Sequence, residues 1–317
     1  MPMASAELRI GTSGWNYPSG KGTWNGVFYS PSRGRAKGFD ELSFYAERFN
    51  TVEVNSTFYG QPRPEVSRAW AARTPPGFEF SVKLYQKFTH PKMFMEQFTK
   101  AAGESETPAN DVLLDALIKP NPSDLDDFRR GIDPLASAGK LGALLAQFPP
   151  SFKCDAASLD YLQWLLNAFT GYNLAVELRH RSWSDALGQT LSLLNAHGAA
   201  FVQIDEPKFR LSIAQNQLPN IPGVYYMRLH GRNAAQWWKH DKSEDRYNYL
   251  YSADEISEFV ETIDAAREIV RKAYVYTNNH FSAKSVANAA MIKKQLGEPI
   301  EEGLATLIAN RTARALT

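Results

Sequence analysis

The sequence predicts an α/β protein, a single (β/α)8 TIM-type barrel with long βα loops. Three observations lead there. Eight short segments rich in β-branched and aromatic residues recur along the chain, most followed by a segment of helical composition. Alternation of that kind builds parallel sheets, and eight units match the count that closes a barrel. The rival, an open doubly wound sheet, carries a Gly-rich phosphate turn after its first strand. Here Gly11-Thr12-Ser13-Gly14-Trp15 has only a GxxG spacing and opens an aromatic loop.

Taken in order, the predicted strands span 8–13, 51–55, 78–84, 141–148, 173–179, 199–205, 224–230 and 273–279. The helices between and after them span 39–48, 64–73, 124–138, 156–169, 185–196, 254–271 and 282–295. Only the connection from Asp205 to Val224 lacks a helical pattern. No Pro/Gly/Ser-rich linker divides the 317 residues, so one domain over 1–317 is expected, with an insertion at about 97–121 that is polar and carries Gly103, Pro108 and Pro120. That segment and the connections 206–223 and 231–252 follow strand ends, where barrels keep their binding loops.

Composition bounds the function. With 35 Lys+Arg against 34 Asp+Glu, 44% apolar residues and 12% aromatic ones, the chain is a globular protein large enough to fold without staples. Near-neutral charge removes the broad basic footprint of a non-specific nucleic-acid binder, so nucleic acid stays open as a partner but is not favoured. The single cysteine, Cys154, excludes an internal disulfide and a cysteine-rich zinc site and agrees with a reducing compartment. No apolar run reaches the ~20 residues of a membrane span, and residues 1–7 lack a signal core. The expected location is cytoplasmic with no membrane partner, while the oligomeric state is left open.

Strand side chains alternate between the interior and the helix-covered face, so parity sorts them. One parity is apolar: Val52 and Val54, Val82 and Leu84, Val176 and Leu178, Val202 and Ile204, Met227 and Leu229. The other is polar near the strand C-termini: Glu53 and Asn55, Ser81 and Lys83, Gln147, Glu177 and Arg179, Gln203 and Asp205, Arg228 and His230, then Asn278. These residues are expected to converge on the barrel mouth. Charges confined there must either pair with one another or serve a ligand.

Glu177 and Asp205 fall on neighbouring strands and suit a paired acid and base, with Glu53, Lys83 and His230 as further catalytic candidates. Arg179 or Arg228 could equally hold both carboxylates as permanent ion pairs. A divalent metal could draw on Glu53, Glu177, Asp205 and His230, but Lys83, Arg179 and Arg228 lie among them and no HExxH motif supports it, so no cofactor is predicted. The cations suit an anionic substrate, held by Arg228, Arg232 and the strand-eight loop Asn278-Asn279-His280-Phe281-Ser282, with a helix opening near Ser282 offering free N–H groups. Trp15, Tyr17, Trp24, Phe28, Tyr29, Phe58, Tyr59, Trp237 and Trp238 crowd the same side, and a sugar or base ring would stack on Trp15 or Trp237. The expected ligand is therefore small and anionic or sugar-like.

The ordered blocks Ile10-Gly11-Thr12-Ser13-Gly14-Trp15, Phe49-Asn50-Thr51-Val52-Glu53-Val54-Asn55-Ser56-Thr57-Phe58-Tyr59, Phe80-Ser81-Val82-Lys83 with Thr89-His90, and Gln147-Phe148-Pro149-Pro150-Ser151-Phe152 continue into Val176-Glu177-Leu178-Arg179-His180 with Trp183, Arg228-Leu229-His230-Gly231 and Asn278-Asn279. Together, from about residue 8 to 295, they resemble the domain of unknown function 72 family, also called YecE-like. The resemblance implies a TIM-type barrel and supplies no reaction; segment 97–121 lies outside its pattern. Two classes of function follow from the residues. One is an enzyme of hydrolase or lyase type acting on a small phosphate-, sugar- or nucleotide-like substrate. The other is a barrel that binds such a ligand, or a nucleic acid, without turnover.

Overall fold

The computed structural model describes residues 6–31, 37–102, 118–215, 218–242 and 244–315. Among the described residues, nine parallel strands form two sheets. One, in the order β1-β9-β8-β7, contains Glu7–Thr12, Lys272–Thr277, Val224–Leu229 and Gln203–Asp205. The other, β2-β3-β4-β5-β6, contains Thr51–Val54, Glu79–Lys83, Leu141–Gln147, Leu174–Glu177 and Ala200–Phe201. All eight expected strand regions are strands, but 199–205 is split at Val202, and the hydrogen-bonding does not form the single closed ladder that was expected.

Side chains explain both interruptions. Between β1 and β2 the backbones are joined by one bridge, Ser13 to Glu53, and elsewhere by Asn50 and Tyr45. Asn50 accepts from Ile10 N at 3.1 Å and donates to Leu8 O at 2.8 Å, while Tyr45 OH accepts from Thr12 N and donates to Thr51 O. Gly11 is required at this seam, because a Cβ there would sit 2.2 Å from Thr51 O. At the other junction, β6 pairs with β5 and β7 with β8. The edges left over are met by two amides of the helix-free connection. Asn220 spans Phe201 N and Ala199 O, and Gln215 spans Ile204 N and Val202 O. Buried backbone groups are thus satisfied where a ladder is missing.

The helices Glu41–Ala46, Pro64–Ala72, Pro122–Ser137, Ala156–Ala168, Leu187–Ala196, Ala253–Arg267 and Lys284–Gln295 occupy the expected regions. Helices Pro91–Ala102 and Glu302–Ala315 and the single turns Ser56–Tyr59 and Ser182–Asp185 were not foreseen. The expected insertion at 97–121 begins inside the first of these; its residues 103–117 lie outside the described residues. Apolar strand residues such as Val52, Val82, Val176 and Leu229 form one continuous buried core with Leu42, Leu165, Ile263 and Ile292 of the helices. No helix among the described residues is long and apolar enough to cross a membrane.

Candidate functional site

The polar ends of β2, β4, β5 and β8 meet in a buried ion-pair network. Arg228 is its centre, and with Glu53 and Glu177 it is 0–1% exposed. Its Nε and Nη2 grip Glu53 in a two-pronged pair at 2.9 and 2.7 Å, and its Nη1 reaches Glu177 at 2.5 Å and Gln147 at 3.0 Å. Ser13 and Tyr226 complete the Glu53 shell, donating at 2.7 and 2.8 Å. Arg179 caps Glu177 from the other side at 2.7 Å and lies 3.2 Å from Glu206. Burial alone would raise the Glu53 and Glu177 carboxyls, but Arg228 and these donors hold both below the usual carboxylate range. The two acids are therefore fixed anions, and Arg228 a fixed cation.

His230 sits within this network. Its Nε2 is 3.2 Å from Arg179 Nη2 and its Nδ1 2.9 Å from the Asn278 amide. The Arg179 guanidinium thus faces Nε2 and the Asn278 amide nitrogen faces Nδ1. Burial, with Arg228 next, pushes the imidazole down to about 3. The expected neutral-pH proton exchanger is a neutral structural bridge instead.

Asp205 departs from the expected convergence. Register pairs Ile204 with Arg228 and Asp205 with Leu229, and side chains at one level of a parallel sheet share a face. Ile204 thus points inward with Arg228, and Asp205 outward. It meets Arg232 at 2.9 Å and Tyr251 OH at 2.7 Å, with Glu255 of helix Ala253–Arg267 on the far side of Arg232. The Glu177–Asp205 acid/base pair is not formed. Parity misled because this one strand turns its apolar side, Val202 and Ile204, to the interior. Arg232, bound by these carboxylates, is likewise no partner for Arg228 in holding an anion. Asn279 is structural too, donating to Tyr249 O and Asn288.

Above the network opens a cavity of about 650 Å³, walled by residues at the C-terminal ends of β1, β2, β3, β4, β5, β8 and β9. Of the expected site residues, Trp15, Asn55, Tyr59, Lys83, Arg179, Arg228 and Asn278 line it, while Glu53, Glu177 and His230 lie beneath. His280 of the expected strand-eight loop is on its wall, whereas Glu244, Arg246 and Tyr247 were missed as individual residues; they come from an irregular connection, where no periodicity marks them. Tyr17 stacks on His280 with ring centroids 4.1 Å apart. Trp24, Phe28 and Tyr29 instead pack against each other under the loop. Trp237 borders a second, apolar cavity of about 350 Å³ with Phe209 and Trp238; the two cavities share Pro150 and Arg179.

Lys83 differs from the other charges. Its Nζ lies 4.1 Å from the Phe58 ring centre, and no carboxylate among the described residues is within ion-pairing distance. Burial first, then Arg228, pushes its ammonium down to about 7. Asn55 adds a buried side-chain oxygen without a partner on the same wall. The expected helix opening at Ser282 does not present free N–H groups: the helix starts at Lys284, Ser282 N donates to Gly22 O, and Arg311 holds the Ser282 carbonyl. No three His, Cys, Asp or Glu side chains among the described residues gather as a metal site, and Arg228 occupies the space between Glu53 and Glu177.

Fold and site together define a class: parallel α/β proteins with a polar cavity at the strand C-termini, floored by a buried Glu–Arg–Glu clamp. Residues 9–311 match the family model described as protein of unknown function DUF72, and the chain belongs to that family. It is 26% identical over 300 residues to the UPF0759 protein YunF of Bacillus subtilis, covering 91% of this chain and 94% of that one. A DUF72 family protein of Thermotoga maritima has a similar crystal structure, with a TM-score of 0.72 and 31% identity over 92% of this chain and all of that one. Another from Enterococcus faecalis gives 0.73 at 24% identity, covering 93% and 97%.

Proposed function

We propose that this chain is an enzyme of hydrolase or lyase type that moves protons on a small sugar-, phosphate- or nucleotide-like substrate, with Lys83 as its acid/base group. The carrying observation is that Lys83 is an amine on the cavity wall with no carboxylate within ion-pairing distance among the described residues, beside Glu53, Arg228, Glu177 and Arg179, which are committed to one another. An acid or base works best with a pKa near the operating pH, and Lys83 meets that condition at about 7. Glu53, Arg228, Glu177 and Arg179 are its fixed floor, setting the local potential without exchanging protons. An anionic substituent would face Lys83 and Arg246, and a ring would lie against Trp15, Tyr59 or Tyr247. We read the two sheets as arcs of one (β/α)8 barrel in a single domain, a reading supported by the side-chain bridges at both seams.

The test is turnover of nitrophenyl phosphate, phosphodiester and glycoside substrates by the wild type and by Lys83→Met, beside thermal-shift screening of the corresponding sugars and nucleotides. Turnover lost in a folded Lys83→Met protein supports the enzyme. Ligands that raise the melting temperature with no turnover support a non-catalytic binder.

A further inference from the structure

We propose that the substrate carries an aldehyde or ketone and that Lys83 captures it as an imine. The inference rests on the reading of the cavity as an active site, and names the substrate class. Three features of the wall point to it. The amine stands over the Phe58 ring, which leaves a nitrogen lone pair free of any carboxylate contact once the ammonium is deprotonated. Asn55 Oδ1, buried and unpartnered, is an acceptor for a hydroxyl beside the carbonyl. Trp15, Tyr17 and Tyr247 line the same cavity and give the carbon skeleton of a carbonyl compound an aromatic surface to rest on.

The step balances without any further reagent. Lys83 Nζ attacks the carbonyl carbon to give a carbinolamine, one amine proton passing to the former carbonyl oxygen; a second proton then leaves nitrogen as that oxygen departs as water. One C=N bond forms, one C=O bond is lost, and nothing is oxidised. Burial first, then repulsion from Arg228, bias Lys83 toward the free amine; Glu177 and Glu53 oppose that bias, Arg179 adds a smaller repulsion, and His90 beside Phe58 is itself neutral, burial holding it at about 3. A lysine desolvated next to fixed cations is the environment that activates amines for imine chemistry.

Two measurements on the wild-type protein at pH 7 test this. The first is incubation with glycolaldehyde or pyruvate and cyanoborohydride, followed by peptide mapping. The second is competitive acetylation with limiting acetic anhydride. An ordinary lysine at pH 7 is about 0.03% free amine and Lys83 about half, so its labelling should exceed that of the surface lysines by at least about tenfold in both. Carbonyl adducts spread over surface lysines with Lys83 bare overturn the proposal. If acetylation nevertheless selects Lys83, the acid/base reading stands alone. If neither reagent selects it, both readings fall.

Discussion

At the scale of single residues, the buried charges at the strand ends form a matched chain, and Lys83 beside them has no carboxylate partner among the described residues. The Glu53–Arg228–Glu177–Arg179 chain is matched, and its cost of burial is offset by hydrogen bonds on nearly every prong. Lys83 is not matched, so it destabilises the fold at neutral pH. Its folded pKa of about 7 lies below the ordinary lysine value, so the unfolded chain binds the proton more tightly and stability falls as pH drops from about 10.5 to 7. Lys83→Met is therefore expected to be more stable than the wild type at pH 7, by about 1–3 kcal/mol after allowing for solvent at the cavity mouth. The gap should close toward pH 10.5. Urea titrations at pH 7 and 10 measure it; a variant less stable at pH 7 would show that the ammonium has a partner.

At the scale of elements, the two seams are where the fold departs from a continuous ladder, and they rest on a few amides. Asn50 makes two backbone contacts across β1 and β2, and Gln215 makes two along 202–204. Asn50→Ala and Gln215→Ala each leave buried backbone groups unsatisfied, an expected loss of about 2–4 kcal/mol. Hydrogen exchange separates them: Ile10 N–H should exchange faster in the first variant and Ile204 N–H in the second, with the Glu53 network protected in both. Strand positions were legible in the sequence because short β-branched runs alternate with helical ones. Which edges would be bridged by side chains was not, because Asn50, Gln215 and Asn220 sit in connections and look like any other loop polar residue.

At the scale of the whole molecule, acid should unfold the protein in a window set by buried groups of two kinds. His90, His230 and His280 are held neutral with folded values near 3, against 6.5 in the open chain. The unfolded state binds their protons first, so stability declines as pH falls from about 6.5 toward 3. Glu53, Glu177 and Glu79 are held below the ordinary carboxylate value and contribute stability above about 4.5 that is lost on further acidification. Both act in one direction, so below the range where Lys83 titrates the melting temperature should fall further from near pH 6 and steepen below 4.5; a flat profile between pH 6.5 and 5 would mean the histidines can charge in place. The parallel α/β class, the strand positions and most of the polar set at the strand ends were readable along the chain, because they follow from local composition and from the two-residue period of a strand. Packing set the rest: Asp205 faces outward, Arg228 is clamped between two carboxylates, and Lys83 has none within ion-pairing distance among the described residues. Those outcomes depend on register between strands far apart in the chain and on which opposite charges come within bonding distance, and neither is written in any local pattern.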